Sequence, residues 1–294
     1  MDGKLWSRVY GDVMQVEHPN SSPRQRFSDR VIVLVYLLAA PNDRPVCWAC
    51  RPESWKGYKR PAQLPSQPTM SRRLRSPGVQ ALADMLESKL RVLQTIDKRV
   101  GAIDGRPLTI NPYSKDRDAR WGYAIRGFGF GYKLHVVWGH GLVPLAWELL
   151  PLNASEPRVA TERLLPRLPR VTGKRYLLGD SAYDTNPLHA AAAERGYQLL
   201  APPKRSGHDL GHRPHHPARL IGLAQLKTPY GSRLYKRRGM VERFFANWAT
   251  RDIGLDALPA HVRRLPRIKQ FVQAKIILNG FHILHRRNLL AHAA

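Results

Sequence analysis

The chain has 294 residues, with 48 Lys plus Arg against 22 Asp plus Glu, and its formal charge of +26 exceeds what solubility asks of a domain. With 43% hydrophobic and 24% charged residues it can build a real core, which excludes a disordered basic tail over most of its length and makes a polyanion the first partner to expect. At ~150 residues per domain, this length corresponds to one large domain or two modest ones.

Met1 to Tyr10 carries no apolar segment behind a basic one, so no secretory signal is expected. The longest apolar run, Val31 to Ala40, is about half the ~20 residues of a membrane span. No membrane partner and a cytosolic location follow as expectations. Ser28 and Asp29 as capping candidates and Pro41 behind the run predict a core helix over Asp29 to Ala40. Cys47 and Cys50 are the only cysteines. They form a lone C-x-x-C, and because a closed zinc site needs four ligands, two ordinary reduced thiols are expected. After a proline-rich loop, Ser66-Gln67-Pro68 opens a short basic helix through Arg75. There Arg72, Arg73 and Arg75 would offer guanidinium groups to guanine edges or phosphates, with a solvated basic face as the competing reading. From Pro77, the residues Val79, Leu82, Ala83, Leu86, Leu90 and Leu93 share one helical face. Helix, long turn, basic helix, helix is the order of a small DNA-reading unit, expected over residues 1–97.

From about residue 98 the pattern turns extended. Strands are predicted at Arg99–Asp104, Tyr132–Trp138 and Leu142–Leu152, the last two joined at Gly139-His140-Gly141. There follow a helix (Glu156–Leu165), a buried strand (Arg175–Asp180), an alanine-rich helix (Pro187–Arg195), a strand (Gln198–Ala201), a loop or small insertion at about 204–234, and helical stretches at Met240–Arg251 and Pro266–Arg287. The order β-β-β-α-β-α-β-α is that of an α/β, ribonuclease-H-like domain with a mixed five-stranded sheet, expected over 98–294.

The carboxylates fall in a telling pattern. Asp104 ends the first predicted strand, Asp180 ends the fourth, and Glu242 begins a helix. If those two strands pair in parallel, their ends lie ~5 Å apart and both aspartates leave the same rim. A third carboxylate from a helix across the rim would complete an oxygen-rich site suited to Mg²⁺ or Mn²⁺, and two such ions suit phosphodiester displacement. Against this stands an ordinary reading of each residue: Asp104-Gly105 as a turn, Asp180 as a cap, and Glu242 paired with a nearby Arg.

Ile103-Asp104-Gly105, Leu178-Gly179-Asp180-Ser181-Ala182-Tyr183-Asp184, Ala201-Pro202-Pro203-Lys204 and Arg238-Gly239-Met240-Val241-Glu242-Arg243-Phe244-Phe245 together resemble the DDE transposases of bacterial insertion sequences, in the branch joining insertion-sequence families four and five. The resemblance covers essentially the whole chain. It implies a ribonuclease-H-like fold, with Asp104, Asp180 and Glu242 as catalytic metal ligands for two Mg²⁺ or Mn²⁺ ions. It further implies hydrolysis at the transposon ends followed by attack of the freed 3′-hydroxyl on target DNA, by a homodimer in the DNA complex of a bacterial, nucleoid-associated protein. In the family's pattern around the third acid, Tyr235, Arg238 and Glu242 fit, with Tyr235 and Arg238 expected at the cleaved DNA, while Ala249 stands where the family has Lys. Offsets of −7, −4, 0 and +7 lie on one face of a helix. Two other functions compete: a DNA-binding remnant that no longer cuts, and a nuclease without strand transfer.

Of the remaining residues, His208, His212, His215 and His216 read as an exposed loop rather than a metal cluster. Asp184 reads as the start of the next helix. Trp121, Trp138 and Trp147 read as core, and Trp248 is the candidate platform for an extruded base.

Overall fold

The computed structural model describes residues 2–17, 25–93, 99–139, 141–173, 175–204, 214–250, 254–255 and 257–293. His208, His212 and the turn residue His140 lie outside them. The chain forms two compact units, Met1–Gln94 with Trp248–Ala294, and Thr95–Asn247.

The first unit is helical: α1 (Gly3–Gln15), α2 (Asp29–Ala39), α3 (Val46–Ala49), α4 (Gln67–Arg73) and α5 (Pro77–Leu93), joined by the C-terminal helix. Ser28 caps α2 by accepting from the Val31 amide, as its sequence predicts. The apolar face of α5 (Val79, Leu82, Leu86, Leu90) is buried. The basic stretch divides: Arg72 and Arg75 are exposed, but Arg73 turns inward. Its guanidinium donates to the Phe27 carbonyl at 2.8 Å and forms an ion pair with Asp29, so it holds the unit together and is not on the face with its neighbours. Cys50 donates to the Val46 carbonyl, and burial together with Cys47 pushes its thiol up to about 11, which keeps it protonated and unreactive.

The segment 248–294, expected inside the 98–294 domain, instead packs with the N-terminal helices. The helix at Leu265–Ala293 explains why. Ile268, Phe271, Val272, Ala274, Ile276, Ile277, Leu278 and Phe281 are all buried, and every residue from Phe271 to Phe281 is covered, so this part of the helix needs cover on all sides. Lys275, itself 1% exposed, pairs with Asp43 at 2.8 Å and donates to the Gly254 carbonyl. No helix among the described residues is long and apolar enough to cross a membrane.

The second unit is a mixed α/β domain. Among the described residues its sheet has six strands, β1 (Val100–Thr109), β2 (Arg120–Ala124), β3 (Gly127–Trp138), β4 (Ala146–Pro151), β5 (Arg175–Leu178) and β6 (Tyr197–Leu200). Both β2 and β4 pair antiparallel to β3, β3 antiparallel to β1, and β1–β5–β6 run parallel. Without β2 this is the strand order of the expected ribonuclease-H-like fold. The hairpin strand β2 was not anticipated, and β4 is shorter than 142–152. Burial of Ile103, Val137, Leu164, Leu177, Leu188 and Leu199 forms the core on one face. Helix 156–165 breaks up into α6 (Glu156–Val159), a π-turn and a 3₁₀ turn. The stretch read as loop or insertion carries two helices, α7 (Asn186–Glu194) being followed by α8 (Pro217–Leu226) and α9 (Pro229–Tyr235). A 3₁₀ turn, Lys236–Arg238, then leads into α10 (Gly239–Thr250), and Leu265–Ala293 is α11.

Candidate active site

Register fixes the two aspartates. The β1/β5 ladder pairs Val100 with Tyr176, Gly101 with Leu177 and Ala102 with Leu178. Asp104 and Asp180 each stand two residues past that last pair, where β5 stops and the sheet opens, the usual place for a site at the carboxyl ends of parallel strands. The Asp-Gly at 104–105 is no turn, because β1 continues to Thr109 paired with β3. Asp104 accepts from the Gly105 amide at 2.8 Å. Asp180 accepts from the Ala182 amide, also at 2.8 Å, and caps the 3₁₀ turn Ser181–Tyr183, so capping and a place at the rim coexist in one side chain.

The third acid arrives on α10. Strand alternation puts Ala102, Asp104 and Arg106 of β1 on one face with Trp138 of β3, and α10 lies there. The Trp138 and Phe244 rings stack with centroids 4.0 Å apart, and Arg106 donates to the Phe245 carbonyl at 2.9 Å. Glu242, in the first turn of α10, is ion-paired with Arg238, whose other guanidinium nitrogen is 4.0 Å from Asp104 Oδ2. Arg238 therefore links the first and third acids. Tyr235 donates to the carbonyl of Gly179, one residue before Asp180, at 3.2 Å. The stripe of Tyr235, Arg238 and Glu242 is not one continuous helix, because the 3₁₀ turn separates α9 from α10; Tyr235 and Arg238 reach the rim, and Glu242 pairs with Arg238. Ala249 falls in the last turn of α10.

Burial raises Asp104 to about 6; the Gly105 amide opposes this, the Asp180 and Glu156 carboxylates add to it, and Arg238 pulls it back. Glu156 is an acid that sequence reading passed over, since a glutamate in the first turn of a helix ordinarily serves the helix dipole. It is balanced by Lys133 of β3 at 2.6 Å. Tyr183, fully buried, has its hydroxyl held well above the ordinary range by burial and by the Glu156, Asp104 and Asp180 charges.

Asp184 does not open the next helix; Thr185 occupies the cap of α7. Asp184 is instead buried and gripped by Arg219 of α8 through two hydrogen bonds, 2.7 and 2.6 Å, with His189 at 3.3 Å. This pins the far end of the loop that carries Asp180. His215 bonds Arg219, and His216 caps α8, so these two histidines are structural.

The donors suit a hard cation: they are carboxylate oxygens, and burial, with the Asp180 and Glu156 charges adding to it, raises Asp104 in a way that a positive charge would relieve. Two acids, Asp104 and Asp180, are assembled at the rim, while Glu242 is joined to Asp104 through Arg238. Among the described residues no three acid, His or Cys side chains stand close enough to hold an ion unaided.

Residues 95–278, well over half of the chain, match the family model described as the transposase DDE domain. No curated protein matches the chain.

Proposed function

Since the chain belongs to the transposase DDE family, we propose that it is the DNA transposase of a bacterial insertion sequence, which binds the element's terminal inverted repeats, cleaves at its ends and joins the 3′-hydroxyl to target DNA as a homodimer. The observation that carries this reading is the equivalent placement of Asp104 and Asp180 two residues past the last β1/β5 pair, with Glu242 ion-paired to Arg238, which lies 4.0 Å from Asp104. Asp104, Asp180 and Glu242 would hold two Mg²⁺ or Mn²⁺ ions. These ions supply activation of the attacking oxygen and charge stabilisation of the leaving one.

The chain's own residues do the rest. Arg238, set between Glu242 and Asp104 in the free protein, would exchange a carboxylate for a DNA phosphate. Tyr235 holds the backbone beside Asp180. Arg106 and the Trp138–Phe244 stack fix the helix that carries Glu242, and Arg72 and Arg75 offer exposed guanidinium groups for recognition of the ends.

The test is incubation of purified protein with labelled DNA carrying the element's ends and Mg²⁺ or Mn²⁺. Nicking followed by joining is expected, whereas nicking alone would indicate a nuclease. Asp104→Ala, Asp180→Ala and Glu242→Ala should each abolish cleavage while DNA binding is kept or improved, because each removes a repulsion from phosphate. Cleavage retained in any one of them removes that residue from the site.

A further inference from the structure

The segment Arg120-Trp121-Gly122-Tyr123-Ala124-Ile125-Arg126-Gly127-Phe128-Gly129-Phe130-Gly131 alternates aromatic residues with glycine or alanine. In the β2–β3 hairpin, Trp121 faces Phe130, Tyr123 faces Phe128, and Gly122 faces Gly129. One side of the ribbon is therefore aromatic and the other almost without side chains. The bare side is pressed onto the protein: a Cβ at Gly122 would lie 2.7 Å from the Leu152 carbonyl oxygen, and one at Gly129 would lie 3.0 Å from the Thr109 side chain. The aromatic side faces out, with Trp121 50%, Tyr123 79% and Phe128 64% exposed. The rings pack on one another, Trp121 with Phe128 at 6.2 Å and nearly parallel, Trp121 with Phe130 and Tyr123 with Phe128 at 5.5 Å.

Such an arrangement inverts the usual economy of a strand, which buries its large apolar side. Exposed rings on an edge hairpin invite aggregation, so a fold that keeps them outward on a glycine-backed ribbon points to a ligand. The surroundings say which kind. No carboxylate occurs from residue 119 to 131, where Arg126 is exposed in the hairpin turn; before the hairpin, exposed Lys115 and Arg117 alternate with Asp116, which is buried, and Asp118. Cations beside flat aromatic faces on a sheet are the elements of a platform for unpaired nucleotides, where bases stack on rings and phosphates meet arginine. A duplex offers such rings only base edges.

We propose that the β2–β3 hairpin is a stacking site for unpaired DNA bases, with Trp121 and Phe128 as its main platform, Tyr123 and Phe130 beside them, and Arg126 on the phosphates. This deepens the transposase reading and rests on it, since cutting and joining ends exposes unpaired nucleotides. It also reassigns the base-stacking role: Trp248 is buried at 1% exposure, and Trp121, expected in the core, is the exposed ring.

The test uses the full chain and three labelled probes, an oligothymidine of about twelve nucleotides, an abasic oligomer of the same length and charge, and a short duplex, compared by fluorescence anisotropy. The oligothymidine should bind at least tenfold tighter than the abasic oligomer. Trp121→Ala and Phe128→Ala should each erase most of that difference, by roughly 5- to 100-fold per lost ring, whereas Trp121→Phe should retain it and duplex binding should not change. Circular dichroism melting of the same variants checks that they fold. Equal binding of the oligothymidine and abasic probes overturns the proposal, as does a loss in the alanine variants that is shared by all three probes. Dissociation of a dimer in Trp121→Ala with the oligothymidine preference intact would likewise overturn it and assign the face to a second copy of the chain. Failure of the hairpin alone leaves duplex binding and metal-dependent cleavage in place, whereas failure of the transposase reading removes cleavage.

Discussion

Arg238 pairs with Glu242 and lies 4.0 Å from Asp104, so a single guanidinium stands in for positive charge at both ends of the acid set. The Glu242 side chain is 54% exposed, and pairs this open contribute only ~0 to 1 kcal/mol to stability. Arg238→Ala should therefore leave the melting temperature nearly unchanged while cleavage falls by about 10²-fold, the cost of misplaced groups at a reacting centre; a large drop in melting temperature would make Arg238 structural instead. The opposite balance holds at Asp184, whose side chain is fully buried and paired with Arg219. Burial alone would raise this carboxylate, but the hydrogen bonds from Arg219 and His189 outweigh it and hold it at about 2, below the ~3.9 of an unfolded chain. A depressed carboxylate stabilises the fold fully above the unfolded value, and that share is lost as pH falls through the folded one. Acid unfolding should thus draw on this pair between about pH 4 and pH 2. Arg219→Ala, which leaves the buried carboxylate with His189 but no guanidinium, should cost up to ~3 to 5 kcal/mol at neutral pH, read from denaturant melts. Nothing in the sequence signals this grip, because Arg219 is 35 residues from Asp184 and falls in a stretch whose prolines and histidines read as loop.

At the scale of elements, the sequence was informative where one periodicity dominates. The helix α2, the apolar face of α5 and the strands β5 and β6 follow from their patterns, and the parallel pairing that sets Asp104 beside Asp180 follows from strand order. The hairpin escaped because its alternation is of aromatics with glycine, and glycine is depleted in strands; only the close approach of the chain to Leu152 makes glycine the fitting residue there. Segment 156–165 escaped because its helical pattern conceals a π-turn, and 248–294 because apolar periodicity says that a helix is buried without saying against what. Gly131 offers a test of the hairpin's anchoring. Its φ is +154° and a Cβ there would lie 2.4 Å from the Leu108 carbonyl oxygen, which is backbone paired in β1 and cannot swing away. Gly131→Ala should lower stability by at least ~1 to 3 kcal/mol, seen in thermal melts, whereas Gly127→Ala, with φ +106° but no atom within 4 Å, should cost less because only the strain remains.

For the molecule as a whole, a charge of +26 must be spread over surfaces that do different work, and salt separates them. Each phosphate neutralised lowers the slope of log K against log salt by about 0.9, so duplex affinity should fall steeply between ~50 and ~200 mM salt. The basic stretch at the end of α4 gives this a residue-level form. Arg72 and Arg75 are exposed, and replacing both with alanine should flatten the slope by about 2 if each meets one phosphate, with the melting temperature unchanged. Arg73 is committed to Asp29, whose side chain is only 7% exposed. Arg73→Ala would take the guanidinium from that buried carboxylate, so it should destabilise the helical unit by ~1 to 3 kcal/mol. Under conditions where the variant is still folded, its salt slope should match that of the unaltered protein. A slope that flattens in Arg73→Ala as much as in the other two would mean that the guanidinium leaves Asp29 for DNA; a slope indifferent to Arg72 and Arg75 would move recognition of the duplex to another part of the surface.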